Sequence, residues 1–276
     1  MTAPLPDARL PEPRLSELDA FLLDLNRAAA DAILPLFRGA HGLVNKFDVG
    51  FDPVTEADKG AERAIRQLIA ARYPDHGVIG EEYGEDRPDA EFVWVLDPVD
   101  GTRAFIAGLP LWTTLIGLRF QGKPVLGSIG QSYLGEVYIG HAGGSRVVTS
   151  QGERPLKVRP CPRLTDAIIA TTDPEACFTG AELGAWTQVR AAARLARLGC
   201  DAYAYAMVAA GTMDLVVEAG LKAWDIDAAI PLIAGAGGIT TDWRGAPVGP
   251  HGGQIAIAGD RACLDEALVA LRRSAA

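Results

Sequence analysis

The stretch WVLDPVDGTRAF, Trp94 to Phe105, sets Asp97 and Asp100 three residues apart around a proline, just before Gly101 and Thr102. Two carboxylates held this close repel, and one of them stays protonated unless a cation sits between them. Oxygen-only donors suit a hard divalent ion, Mg²⁺ rather than zinc. The apolar run FVWVL reads as a buried strand, which puts Asp97 at its carboxyl end, where open α/β sheets commonly place ligand crevices. Pro98 stiffens the turn, and Gly101 lets backbone approach a ligand closely. The same aspartates would also serve as ordinary turn formers with no ion at all, so further acids are needed to decide.

Three other segments supply them. IGEEYGE ends an apolar run with Glu81 and Glu82, whose side chains at a strand end point to opposite faces. One of the two reaches the ion beside Asp97; Glu81 is the expected ligand and Glu82 the supporting group, against the simpler reading of a solvated acidic loop. Thr55-Glu56-Ala57-Asp58 has the form of a capping box, and Asp58 either caps the helix or also faces the ion, the two being compatible. In KAWDIDAAI, Asp225 is either the N-cap of a helix or a further metal carboxylate that ties the second half of the chain to the first. The Asp225-x-Asp227 spacing suggests a nucleophilic aspartate, but such a motif follows an apolar strand near the start of its domain, and this one follows GLKAW.

The elements that must position these acids are legible in outline. The Pro-rich residues 1–15 read as a flexible arm. Leu18, Phe21, Leu22 and Leu25 then predict a helix capped by Ser16, and a second helix starting near Thr55 buries Ala61, Ile65, Leu68 and Ile69 and stops at Pro74. From residue 78 to about 149 the pattern is a meander of antiparallel strands with glycine breaks. SQGERP marks a boundary between an N-terminal α+β half, residues 16–150, and a C-terminal α/β half, residues 151–276.

Composition narrows the function. A formal net charge of -9 over 276 residues disfavours nucleic acid and anionic membranes as partners. Cys161, Cys177, Cys200 and Cys263 are widely spaced and read as free thiols of a reducing compartment, so the cytoplasm is expected. No apolar run is long enough to span a membrane, and no basic-then-apolar leader opens the chain. The phosphate-binding G-x-x-x-x-G-K-[ST] loop and the G-x-S-x-G elbow are absent. His41, His76, His141 and His251 form no ligand pair and read as surface or loop residues.

In order and spacing, G-E-E, D-P-V-D-G-T and W-D followed by AAIPLIAGAGGITTDWRG resemble the inositol monophosphatase superfamily, over roughly residues 16 to 270. Arg103 and Ala104 in DGTRAF, the CDAYAY run and Leu-Lys before Trp224-Asp225 are most similar to its histidinol-phosphatase branch. The resemblance implies a layered α-β-α-β-α sandwich, a homodimer, and two or three Mg²⁺ ions per active site. It further implies Glu81, Asp97, the Val99 carbonyl, Asp100 and Asp225 as metal ligands. Asp58 and Thr102, with Glu81, would position and activate the attacking water, and no covalent phosphoenzyme is required. Gly101 and Thr102 would donate backbone N–H groups to phosphate, and Glu218 would contact the alcohol part of the substrate.

The implied reaction is hydrolysis of L-histidinol phosphate in histidine biosynthesis, with Asp201, Glu218 and Asp227 available to the cationic end of a small phosphomonoester. Arg103 would contact the phosphate or pair with a pocket carboxylate, and Arg197 is a weaker substrate candidate. Inositol, sugar or nucleotide phosphates are the alternative substrates, and a non-catalytic metabolite-binding regulator is the alternative of another class.

Overall fold

Alternation along the strands assigns successive side chains to different cores, and that parity sets the architecture. In a computed structural model, which describes residues 11–39, 44–45 and 53–276, Leu115 and Ile116 enter two different apolar clusters, as do Tyr138 and Ile139, Val216 and Val217, and Ala256 and Ile257. A strand whose neighbours are buried on opposite faces needs a layer on each side. Two sheets built this way need three layers of helix.

The first half runs α1 (Glu12–Ile33), β1 (Val44–Asn45), β2 (Pro53–Val54), α2 (Glu56–Arg72), β3 (Gly77–Gly80), β4 (Gly84–Asp86), β5 (Phe92–Asp100), α3 (Thr102–Ile106), β6 (Thr113–Phe120), β7 (Lys123–Gln131), β8 (Glu136–His141), β9 (Gly144–Thr149) and β10 (Gly152–Pro155). Strands β5 to β10 form the expected antiparallel meander, while β3 joins β5 in parallel and carries β4 on the sheet edge. The second half runs β11 (Ile168–Thr171), α4 (Pro174–Cys177), α5 (Gly180–Ala192), β12 (Leu195–Leu198), α6 (Tyr203–Ala209), β13 (Leu215–Leu221), α7 (Ala223–Ile226), α8 (Ala229–Gly235), β14 (Ile239–Thr241), β15 (Gly253–Ala258) and α9 (Arg261–Leu271). Its five strands lie in the order β12-β11-β13-β15-β14. Helices α1 and α2 cover the outer face of the first sheet, α6 and α8 lie between the sheets, and α5 and α9 cover the second sheet. The result is the α-β-α-β-α sandwich.

Several expectations need correction. Helix α1 starts at Glu12 with Pro11 as N-cap, so Ser16 lies inside it and residues 12–15 are not part of an arm; residues 1–10 lie outside the described residues. Leu68 is 37% exposed, because the buried stripe of α2 is carried by Ala57, Ala61, Ile65 and Ile69. The SQGERP segment is the β9–β10 hairpin, so the first sheet continues to Pro155 rather than ending at 150. His76 lies in the loop between α2 and β3, as one of the two readings expected, but it is buried: it accepts from Trp94 Nε1 at 3.1 Å and stacks between Tyr73 and Phe92. The short segment Leu195–Leu198, which carries Arg197, is strand β12. All four cysteines are free thiols, and no described helix is long and apolar enough to cross a membrane.

Candidate active site

Asp97 and Asp100 both belong to β5, and a bulge brings them together. Residues three apart on a regular strand face opposite sides of the sheet. Here Asp97 opposes Leu115 and Asp100 opposes Thr113, so Pro98 and Val99 stand against Thr114 alone. The extra residue reverses the parity and returns Asp100 to the side of Asp97. Pro98 suits the bulge because it has no N–H to lose from the ladder. Its carbonyl accepts from Thr114 Oγ1 at 2.8 Å, and Val99 N donates to Asp97 Oδ1 at 3.1 Å. The motif is therefore a bulged strand running through Asp100, rather than a strand that ends at Asp97.

Gly101 then turns the chain at φ 81°, a left-handed conformation that disfavours side chains. A Cβ there would also lie 3.1 Å from the Asp201 carboxyl group and 3.2 Å from Trp112 Cα. Helix α3 follows, and Thr102 Oγ1 donates to the Val99 carbonyl at 3.1 Å. Glu81 follows β3, next to β5, with its N–H donating to Leu96 O at 3.2 Å. The turn after it is held by Glu62, fully buried on α2, which accepts from Glu82 N at 2.8 Å, Tyr83 N at 3.2 Å and Arg66 Nε at 2.7 Å. Glu62 gave no sequence signal, because its role comes from helix-to-turn packing across twenty residues.

Asp225 is the third residue of α7 rather than its N-cap, and its Oδ2 accepts from Lys222 N at 2.6 Å. Because α7 packs on β5 and β6, Asp225 reaches Asp97 and Asp100 from the other half of the chain. One carboxylate oxygen from each of these three lies within 4.8 Å of the others. Asp100 also accepts from Ala202 N at 2.7 Å, a second tie between the halves. The capping box at Thr55 forms, with Asp58 Oδ2 accepting from Thr55 N at 2.8 Å and Thr55 Oγ1 at 2.5 Å. Asp58 is buried; burial raises its carboxyl, Glu81 adds to that rise, and Asp58 in turn acts on Asp97.

A cavity of about 270 Å³ opens over these groups, lined by Glu81, Asp97, Val99, Asp100, Gly101, Thr102, Arg103, Asp201, Glu218 and Asp225. Six carboxylates face it among the described residues, against the single cation Arg103. Burial, then Glu81, Asp100 and Asp225, pushes the Asp97 carboxyl well up; burial, then Asp201, does the same for Asp100. Burial lifts Asp225 to about 7 and Glu218 to about 8. A buried cluster that resists ionisation by itself, offering only oxygen donors, fits a hard divalent cation.

On the far side of the cavity, Glu218 accepts from Thr172 N at 2.8 Å, Thr172 Oγ1 at 2.9 Å and Thr171 Oγ1 at 3.1 Å. Asp201 has φ 46°, and burial, opposed by Arg103, raises its carboxyl to about 6. Arg103 Nη1 pairs with Asp173 Oδ2 at 3.1 Å, so its partner is a carboxylate on the wall of an adjoining cavity of about 500 Å³. Asp173, Thr172, Cys177 and Tyr205 also line these cavities and were not foreseen. Three candidates do not line the cavity: Asp58, held in its capping box, Asp227 and Arg197. Asp227 is buried in a bidentate pair with Arg119, away from the cavity, and its role as a contact for the cationic end is corrected accordingly. Arg197 is exposed on edge strand β12 and lines neither cavity. Glu82 contributes its N–H to Glu62 and does not line the cavity, whereas Glu81 does.

The model of the inositol monophosphatase family matches residues 14–275. The chain belongs to the inositol monophosphatase family. It is a phosphatase of this metal-dependent type, and the acidic cluster is where this family member would hold its metal. The bifunctional phosphatase IMPL2 of Arabidopsis thaliana, a chloroplastic protein, is 44% identical over 83% of this chain and 66% of its own length. A histidinol-phosphatase of Chlorobaculum parvum is 36% identical over 70% of this chain and 73% of its own. The solved structure of an inositol monophosphatase from Zymomonas mobilis superposes with a TM-score of 0.83 at 38% identity, over 93% of this chain and 98% of that one.

Proposed function

We propose that the protein is a Mg²⁺-dependent histidinol-phosphatase that hydrolyses L-histidinol phosphate to L-histidinol and phosphate. The observation that carries this reading is the charge of the cavity away from the metal cluster. Asp201 and Glu218 face it, and the cation among them, Arg103, is paired with a further carboxylate, Asp173. Burial raises both acids above the carboxylate range, and an ammonium or imidazolium group would restore their ionisation. Inositol, with hydroxyls only, gains less from such a wall. Histidinol-phosphatases among the relatives, at 36% and 31% identity, support the choice. Inositol-1-monophosphatases at 36% identity make inositol phosphate the competing substrate.

Asp97, Asp100 and Asp225, with Glu81 and the Val99 carbonyl, would hold two Mg²⁺ ions. When bound, such ions stabilise charge on the phosphate oxygens and lower the pKa of water. The protein's own groups supply position. N–H groups of the turn at Gly101 and Thr102 bind the phosphate. The Thr102 hydroxyl, whose proton goes to Val99 O, keeps its lone pairs for the attacking water; Glu81 helps to orient that water, and Asp58 contributes its charge from outside the cavity lining. Water attacks phosphorus directly, the P–O bond to the alcohol breaks, and the alcohol leaves along the Asp201 and Glu218 wall. The test is kcat/KM for L-histidinol phosphate and inositol 1-phosphate side by side. A preference of about 100-fold for histidinol phosphate, roughly 2.7 kcal/mol, is expected, and equal rates or a preference for inositol phosphate would refute the substrate assignment.

A further inference from the structure

We propose that Tyr205 is a further substrate-binding residue, whose hydroxyl hydrogen-bonds the alcohol part of the phosphomonoester between Glu218 and the carboxylate cluster. The inference rests on the phosphomonoesterase reading above, but not on which alcohol is esterified. Tyr205 lies on α6, is 3% exposed, and lines the cavity of the acidic cluster. Its ring belongs to the apolar core between the sheets, so its position is fixed by packing.

The hydroxyl has no hydrogen-bond partner among the described residues. Its neighbours show that this is not a general property of tyrosines in that core: Tyr138 and Tyr203 each donate to Glu136 Oε2 at 2.8 Å. A hydroxyl on a cavity wall with no protein partner is open to whatever enters the cavity, and removing it disturbs no bond within the protein. Glu218, Asp100, Asp225 and Asp201 all act electrostatically on the phenol, yet none accepts its proton. Tyr205 and these four acids line the same cavity. A phenol is protonated at neutral pH, so Tyr205 is a fixed neutral donor on the wall shared by the phosphate end and the alcohol end of the cavity. An oxygen or an unprotonated nitrogen of the alcohol part is the matching acceptor.

Tyr205→Phe removes this donor and keeps the ring. The full-length protein with Mg²⁺ is assayed on whichever of L-histidinol phosphate and inositol 1-phosphate the wild type hydrolyses faster, and binding of the corresponding free alcohol is measured by calorimetry. The expected result is a loss of at least roughly tenfold in kcat/KM, a parallel loss of affinity for the alcohol, and an unchanged Tm. A structural role would instead move Tm and leave the alcohol's affinity alone. An active wild type matched by Y205F in both kcat/KM and alcohol affinity overturns the role of Tyr205 alone. A wild type inert toward both esters overturns the functional reading and this inference with it.

Discussion

Asp97 shows how one residue can be legible by type and still misplaced by geometry. The apolar run before it predicted a carboxylate at the end of a buried strand; the strand is buried, but it runs on through Asp100. The bulge that turns Asp100 to the same side could not be read, because parity on a strand depends on the partner strand's register. Glu218 and Asp201 were legible only through resemblance, and Asp173, Thr172 and Tyr205 not at all, since nothing local marks a residue that matters for what lies across a cavity. Asp97→Asn should lower phosphatase activity by at least about 10²-fold, on the scale of losing one positioned charge-stabilising group. In chelator the same variant should have a higher Tm than the wild type, because one buried mutual repulsion is gone; a lower Tm would contradict the like-charge account. The wild type itself should respond to pH. An acid whose folded pKa is raised holds more protons folded than unfolded between the two values, so stability falls as pH rises through that window. For the metal-free protein the window runs from the ordinary carboxylate range to about 7 at Asp225 and about 8 at Glu218. Thermal melts in chelator should therefore fall more steeply over that range than melts in saturating Mg²⁺, and parallel curves would show that the cluster holds no ion.

At the scale of elements, α2 anchors two parts of the site. Its capping box, readable as Thr55 and Asp58 three residues apart, fixes Asp58, and Glu62 one turn later fixes the turn that follows Glu81. The first was legible because a capping box is local; the second was hidden because its partners lie twenty residues away. Thr55→Ala should cost about 1 kcal/mol of stability and also reduce turnover, since Asp58 loses the Thr55 Oγ1 donor and keeps only the backbone N–H at position 55. Glu62→Ala leaves Arg66 and two backbone N–H groups without their acceptor, a change that costs about 3 kcal/mol or more for a buried pair. It should also weaken Mg²⁺ binding in calorimetry; a stability loss with metal affinity intact would separate Glu62 from the site. The missed strand β12 has a similar cause to the missed bulge. Its short LARL segment has no alternating pattern of its own, and it is a strand because β11 pairs with it in parallel.

At the scale of the whole molecule, the site exists only when the two sheets are assembled. Asp225 and Ala202 come from the second half, Asp97, Asp100 and Glu81 from the first, and the buried Arg119–Asp227 pair joins the halves away from the cavity. Asp227→Ala should cost about 3–5 kcal/mol, the expected loss when one member of a buried ion pair is removed. At temperatures where the variant stays folded its preference between substrates should be that of the wild type, because Asp227 does not line the cavity; a changed preference would return it to the substrate wall. The five-layer order was legible from the resemblance, and the alternation of the strands explains it physically. The most direct test of the account is phosphate release from L-histidinol phosphate by chelated protein as Mg²⁺ is titrated back. The account predicts no release in chelator and saturable recovery with Mg²⁺, whereas release that persists in chelator, or none at saturating Mg²⁺, would contradict it.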